Sequence, residues 1–184
     1  TLEIVNANYF INTYYNDSFI PKIYKGRDKM GRLKDKVAII TGGGGGIGRA
    51  TAIRFAEEGA RVIVAEINTD LGEESAQLAR DAAGNSGGDA LFIETDVTSH
   101  ESVKKAISET VERFGKLDIL HNNAGGSTMQ DGPVTEAPDD EFWRVIKLDL
   151  FGTFVCSKHG IPAITKSGGG SVINMSSNVA LMAL

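Results

Sequence analysis

Between Val37 and Arg49 the chain runs Val-Ala-Ile-Ile-Thr, then five consecutive glycines, then Ile-Gly-Arg, and a helical pattern follows at once. A short β-branched run, a glycine turn and a helix start, in that order, allow few folds. Glycines let the backbone turn tightly and approach a bound group with no Cβ between them. The helix start adds unpaired N–H groups and the positive end of its dipole, which suits an anion such as a pyrophosphate. Gly43, Gly45 and Gly48 satisfy G-x-G-x-x-G, but five glycines in a row match many patterns, including a plain flexible loop. The register Thr41-Gly42-x-x-x-Gly46-Ile47-Gly48 is more selective. A Walker-type phosphate loop is excluded, because no Lys-Ser or Lys-Thr follows the last glycine.

Size and charge narrow the choice further. The 184 residues are the length of one domain with a real core. A net charge of −5 argues against nucleic acid as a partner, since no basic stripe is there to neutralise phosphates. Cys156 is the single cysteine, and no C-x-x-C or His-x-x-x-His spacing suggests a metal site. No apolar run is long enough to span a bilayer, and no basic segment leads into an apolar one at the start. The expectation is a cytoplasmic protein that works without a membrane.

Residues 1–29 differ from the rest. They hold all four tyrosines, Tyr9, Tyr14, Tyr15 and Tyr24, and show no lasting strand or helix period. They are expected to be a largely disordered leader, the rival reading being an arm packed on a neighbouring subunit. From residue 30 onward strands and helices alternate. Strands are expected at 37–41, 61–66, 90–94, 117–121 and 171–175, with helices between them. Thr98-Ser99-His100-Glu101 reads as a capping box, and a long helix from about 141 to 166 is expected to break at Pro162. Five strands alternating with helices imply a three-layer αβα, doubly wound parallel sheet of Rossmann type over residues 30–184.

Glu66 ends the second strand, about twenty residues beyond Gly46, the offset at which a carboxylate accepts hydrogen bonds from adenosine ribose hydroxyls and repels a 2′-phosphate. NAD is therefore expected over NADP. Asp96-Val97 follows the third strand and Asn122-Asn123-Ala124-Gly125 the fourth, and each alone could be a turn.

Taken together, Thr41-Gly42-x-x-x-Gly46-Ile47-Gly48, Asp96-Val97, Asn122-Asn123-Ala124-Gly125 and Ser171-Val172-Ile173-Asn174-Met175-Ser176-Ser177 resemble the motifs of the short-chain dehydrogenase/reductase family, in its order and spacing. The resemblance covers nearly everything from Met30. It implies that Thr41, Gly42, Gly44, Gly45, Gly46, Ile47 and Gly48 bind the cofactor with Glu66. It also implies that Asp96 and Val97 meet the adenine, that Asn123, Ala124 and Gly125 line the ribose side, and that Asn122 is mainly structural. Ser177 matches the catalytic serine that hydrogen-bonds the substrate oxygen. The family's helical asparagine falls at Asp149, where its role belongs to the main-chain carbonyl and survives the change. His121 and His159 are expected to be structural, and Cys156 to pack in a core or interface.

The family's Tyr-x-x-x-Lys should follow Ser177 by about a dozen residues. The sequence stops at Leu184, no tyrosine occurs after Tyr24, and Lys158 and Lys166 precede the serine strand. The resemblance thus implies the first part of an NAD-dependent oxidoreductase that moves hydride between nicotinamide and a secondary alcohol or ketone, here without its proton donor. An NAD(H)-binding module without turnover and a gene fragment that does not fold remain open. The third reading rests on an apolar edge at residues 172–175 left bare where the sheet stops after its fifth strand. The helix at residues 151–161 resembles the family's subunit-interface helix, so a homo-oligomer is expected, with assembly impaired. The substrate is a small molecule that the sequence leaves unnamed: steroid, sugar, acyl-thioester and cyclic alcohol are all open.

Overall fold

A computed structural model describes residues 3–6 and 31–177. In chain order the elements are β1 (Glu3–Asn6), β2 (Val37–Thr41), α1 (Gly46–Glu57), β3 (Arg61–Glu66), α2 (Thr69–Ala83), β4 (Asp89–Glu94), α3 (His100–Phe114), β5 (Ile119–Asn122), α4 (Asp139–Val145), α5 (Gly152–Lys166) and β6 (Ser171–Asn174). A π-helical stretch, Ile146–Phe151, joins α4 to α5. The strands pair in parallel in the order β1-β6-β5-β2-β3-β4. This is the doubly wound αβα sheet that the alternation implied.

Strand alternation divides the core between two layers. Ile39 and Ile63 face one side of the sheet with Leu120 and Val172, where Val103 and Ile107 of α3 and Val155 and Ile164 of α5 cover them. Ile40, Val62 and Val64 face the other, against Ala52 and Ala56 of α1 and Ala76 and Ala79 of α2. All five residues of β2 are buried, so this strand carries apolar side chains on both faces. Each fully buried Ile or Val contributes about 1.5–3 kcal/mol, and these core contacts hold the site's strands in register.

The sheet order reverses between β2 and β5. β3 and β4 lie to one side of β2, and β5 and β6 to the other. Loops leaving the carboxyl ends of β2 and β5 therefore diverge, and a crevice opens between them at the switch point.

Four expectations need correction. Pro162 does not break its helix: α5 runs through it, with Pro162 and Lys158, whose carbonyl loses its helical donor, both on the exposed side. The irregularity lies earlier, in the π-helical stretch. The cap of α3 is Ser99, whose hydroxyl accepts from Ser102 N–H at 3.3 Å, while Glu101 pairs with Lys104 and returns nothing to the cap. The fourth strand is Ile119–Asn122, starting two residues later than expected. Finally, Glu3–Asn6 forms a strand along β6, pairing Ile4 with Val172 and Val5 with Ile173. Four residues are too few to show a period, and the edge at residues 172–174 is paired, not bare. The rest of the expected leader, residues 1–2 and 7–29, lies outside the described residues.

Candidate dinucleotide-binding site

The glycine turn leaves β2 at Gly42, which has a φ of +62°, and enters α1 at Gly46, with a φ of +49°. Both conformations favour glycine. A Cβ on Gly42 would stand 2.9 Å from Ala124 Cα, and one on Gly48 would overlap the Gly42 carbonyl oxygen. Glycine is required there because the turn packs against the loop after β5 and the start of α1 packs against the turn. At Gly45 and Gly46 a Cβ would meet nothing within 4 Å, so the turn is open on its outer side. No side chain caps α1, and its first turn holds no acidic residue. Its N-terminal N–H groups and dipole are left for a ligand.

A cavity of about 460 Å³ lies over this turn. Gly42, Gly45, Gly46 and Ile47 form one wall, Glu66 a second at the end of β3, Asp96 and Val97 a third after β4, and Asn123, Ala124 and Gly125 a fourth after β5. A second cavity of about 650 Å³ shares Ile47, Asn123, Ala124 and Gly125 with the first, and holds Asp149 and Ser177. The two spaces form one crevice along the carboxyl ends of the strands. Of the expected cofactor residues, Thr41, Gly44 and Gly48 do not line the first cavity; they shape the turn from behind.

Hydrogen bonds explain that division. Thr41 is buried, and its Oγ1 accepts from Asn123 N–H and Ala124 N–H, each at 3.0 Å. Asn123 Nδ2 donates to the carbonyls of Thr41 at 2.9 Å and Gly42 at 3.2 Å. Asn122 Nδ2 donates to Ser157 Oγ and Asn174 Oδ1, tying β5 to α5 and β6 as a structural residue does. Asp96 Oδ1 accepts from both the N–H and the hydroxyl of Thr98, so the aspartate makes a tight turn and also faces the cavity.

Glu66 is held on its carboxylate by three backbone donors, Gly44 N–H at 3.1 Å, Ile67 N–H at 2.9 Å and Asn68 N–H at 3.1 Å. Asp149 sits in the π-helical stretch, and its Oδ1 accepts from Gly126 N–H at 3.1 Å. A single extra residue in a helical turn re-aims a side chain, and here it brings the carboxylate against the Gly125-Gly126 loop.

Several neighbours were not singled out from the sequence. Arg49 donates to the Gly44 carbonyl from Nε and Nη2, at 3.1 and 2.7 Å. Glu141 is buried, accepts from Arg144 at 2.7 and 2.9 Å and from Thr128 N–H at 3.0 Å, and Arg144 reaches the Gly126 carbonyl at 2.8 Å. The Arg144 guanidinium holds the Glu141 carboxyl well below the usual range, at about 2. Ser127 and Asp131, on the loop so pinned, line the second cavity. The spacing Glu141-x-x-Arg144 was the available signal, since residues three apart meet on a helix. Cys156 lies in the core, where burial pushes its thiol up to about 12, and His159 Nε2 shares a hydrogen bond with His100 Nδ1 at 2.8 Å. Among the described residues no helix is long and apolar enough to cross a membrane, and no group of three or more His, Cys, Asp or Glu could hold a metal ion.

A parallel sheet with a glycine turn at its switch point, an open helix N-terminus and a crevice along the strand ends defines a dinucleotide-binding α/β protein. The chain belongs to the short-chain dehydrogenase family, whose model matches residues 36–184. It is 48% identical over 148 residues to the uncharacterized oxidoreductase YxbG of Bacillus subtilis, covering 80% of this chain and 52% of that protein. It is 41% identical to the 2,5-dichloro-2,5-cyclohexadiene-1,4-diol dehydrogenase LinX of Sphingobium indicum, covering 82% and 58%. Among solved structures, NAD+-bound xylitol dehydrogenase superposes with a TM-score of 0.76 at 33% identity, covering 83% of this chain and 57% of that one. The chain thus spans a little over half the length of the relatives it matches.

Proposed function

We propose that this chain is the nucleotide-binding part of an NAD(H)-dependent dehydrogenase that interconverts a secondary alcohol and a ketone. The observation that carries this reading is the crevice itself. Its turn side is open where a Cβ would meet nothing, at Gly45 and Gly46, and it faces an uncapped helix start. The N–H groups of that helix start receive the pyrophosphate, and Glu66 accepts from the adenosine ribose, which favours NAD over NADP. Asp96 and Val97 flank the adenine, and Asn123, Ala124 and Gly125 lie along the path toward Ser177. The nicotinamide, when bound, supplies or takes up the hydride. Ser177 then hydrogen-bonds the substrate oxygen, and Asp149 braces the Gly126 N–H of the loop that walls the second cavity. The cytoplasm, with its soluble NAD pool, is the compartment this reading calls for.

Self-association is part of the proposal. Phe142, Trp143, Leu150 and Phe154 on α4, the π-helical stretch and α5 are more than half exposed, an apolar surface suited to a second copy of the chain. Fluorescence titration of the chain with NADH tests the NAD(H) reading. Saturable binding of NADH supports it, and no binding rejects it.

A further inference from the structure

Gly44 is gripped at both of its backbone polar atoms. Its N–H donates to Glu66 Oε2 at 3.1 Å, and its carbonyl accepts from Arg49 Nη2 at 2.7 Å and Nε at 3.1 Å. Arg49 is in turn anchored on α2, donating from Nε to Ser75 Oγ at 2.8 Å and from Nη2 to Glu74 Oε2 at 2.6 Å. Ser75 is fully buried, so that anchor is fixed by the packing of α1 on α2. A Cβ on Gly44 would stand 2.7 Å from Glu66 Cγ and 2.9 Å from its Oε2, so the carboxylate lies over the turn only because residue 44 has no side chain.

A glycine set among glycines has wide φ/ψ freedom, and two anchors on opposite sides of one residue remove most of it. The planar guanidinium suits this task, since it spans a carbonyl, a hydroxyl and a carboxylate at once. It is also a cation linked through Gly44 to the carboxylate at the ribose end of the cavity, and it is occupied by Glu74 and Ser75.

We propose that Arg49 is a positioning residue for cofactor choice. By fixing Gly44 it presents the N–H that holds Glu66 at the ribose position, and Glu74 and Ser75 keep its charge away from where a 2′-phosphate would sit. The ligand class is a dinucleotide with an unphosphorylated adenosine ribose. This inference rests on the dinucleotide reading above and extends selectivity from Glu66 to a relay of Glu66, Gly44, Arg49, Ser75 and Glu74.

The test is titration of the 184-residue chain with NADH and with NADPH, for the wild type, Arg49→Met, Arg49→Lys and the double variant Glu74→Gln/Ser75→Ala, with melting followed by circular dichroism. In Arg49→Met the preference for NADH over NADPH is expected to fall about fivefold or more, as loss of charge-assisted hydrogen bonds frees Glu66. Arg49→Lys restores part of the preference, because it keeps the charge and loses the fork. The double variant shifts the preference the same way, by about threefold, as the guanidinium is released. A merely structural role would weaken both nucleotides equally, so an unchanged preference in Arg49→Met overturns the inference and leaves the dinucleotide reading standing. If Arg49→Met does not fold, the double variant decides, and an unchanged preference there overturns it as well. Binding of neither nucleotide by the wild type overturns both readings.

Discussion

Asn123 donates twice to Thr41, from its backbone N–H to Oγ1 at 3.0 Å and from Nδ2 to the carbonyl at 2.9 Å. The end of β5 is thereby locked to the end of β2 just where the two loops part around the crevice. Thr41 Oγ1 also takes the Ala124 N–H, so one buried hydroxyl satisfies two backbone donors. Thr41→Val is nearly isosteric and strands both. It is expected to lose about 2 kcal/mol or more of unfolding free energy in a urea titration, because each of the two half-buried donors left unpaired costs about 1 kcal/mol or more. Thr41→Ser should recover most of it.

Two glycines of the turn separate fold from binding. Gly48→Ala drives a methyl into the Gly42 carbonyl oxygen and brings it within 2.7 Å of Asn123 Nδ2, so the helix must shift. Melting temperature and NADH affinity should fall together. Gly45 has an extended φ of −157° and open space at its Cβ. Gly45→Ala should leave stability within about 0.5 kcal/mol of the wild type while weakening NADH, since the new methyl stands on the wall where the backbone meets the ligand.

The chain order of strands, the turn and the crevice walls was legible because each follows from local pattern. Residues 37–40 and 62–65 are continuous apolar runs, and Asp96, Asn123 and Glu66 sit at strand ends where doubly wound sheets carry their ligands. What escaped notice were contacts between residues far apart in sequence. Glu66 and Gly44 are twenty-two residues apart, and Arg49 and Ser75 twenty-six. No period or turn signal reports such a pair. Strand β1 escaped for a different reason: it is stabilised by pairing with β6, and its four residues have too little pattern of their own. Pro162 misled because its cost depends on which face of the helix it occupies.

His121 lies on central strand β5, buried, with no hydrogen-bond partner at Nδ1 among the described residues. Burial lowers its pKa from 6.5 to about 4. The unfolded chain therefore binds more protons than the folded one between those values. The stability that depends on neutral His121 is complete above pH 6.5 and is lost as pH falls from 6.5 toward 4, by about 3 kcal/mol in all. Glu58, held at about 2 by its hydrogen bond from the Arg32 side chain, adds a separate loss only below pH 4.5. Urea midpoints measured from pH 7.5 to 4.5 should show the first fall in the wild type. In His121→Leu, similar in size and without a titrating group, the slope over that window should flatten to the part left by His159, whose pKa is also lowered, by burial and by the neighbouring His100.

The apolar surface along α4 and α5 carries the last prediction. Trp143 and Leu150 are 65% and 66% exposed, and Phe154 at 54% stacks against Phe151 with ring centroids 6.3 Å apart. Lys158 Nζ lies 5.7 Å from the Phe154 ring centroid and marks the polar margin of the surface. A surface that self-associates should show a sedimentation coefficient that rises with protein concentration. Trp143→Arg should weaken that association about thirtyfold, the cost of removing one large anchor from an interface and placing an unpaired charge there. The substitution lies on the solvent side of a short helix, so melting at low concentration should be unchanged. If the wild type stays monomeric at every concentration, this surface does not bind a second copy, while the reading of the dinucleotide crevice, which lies on other residues, is untouched.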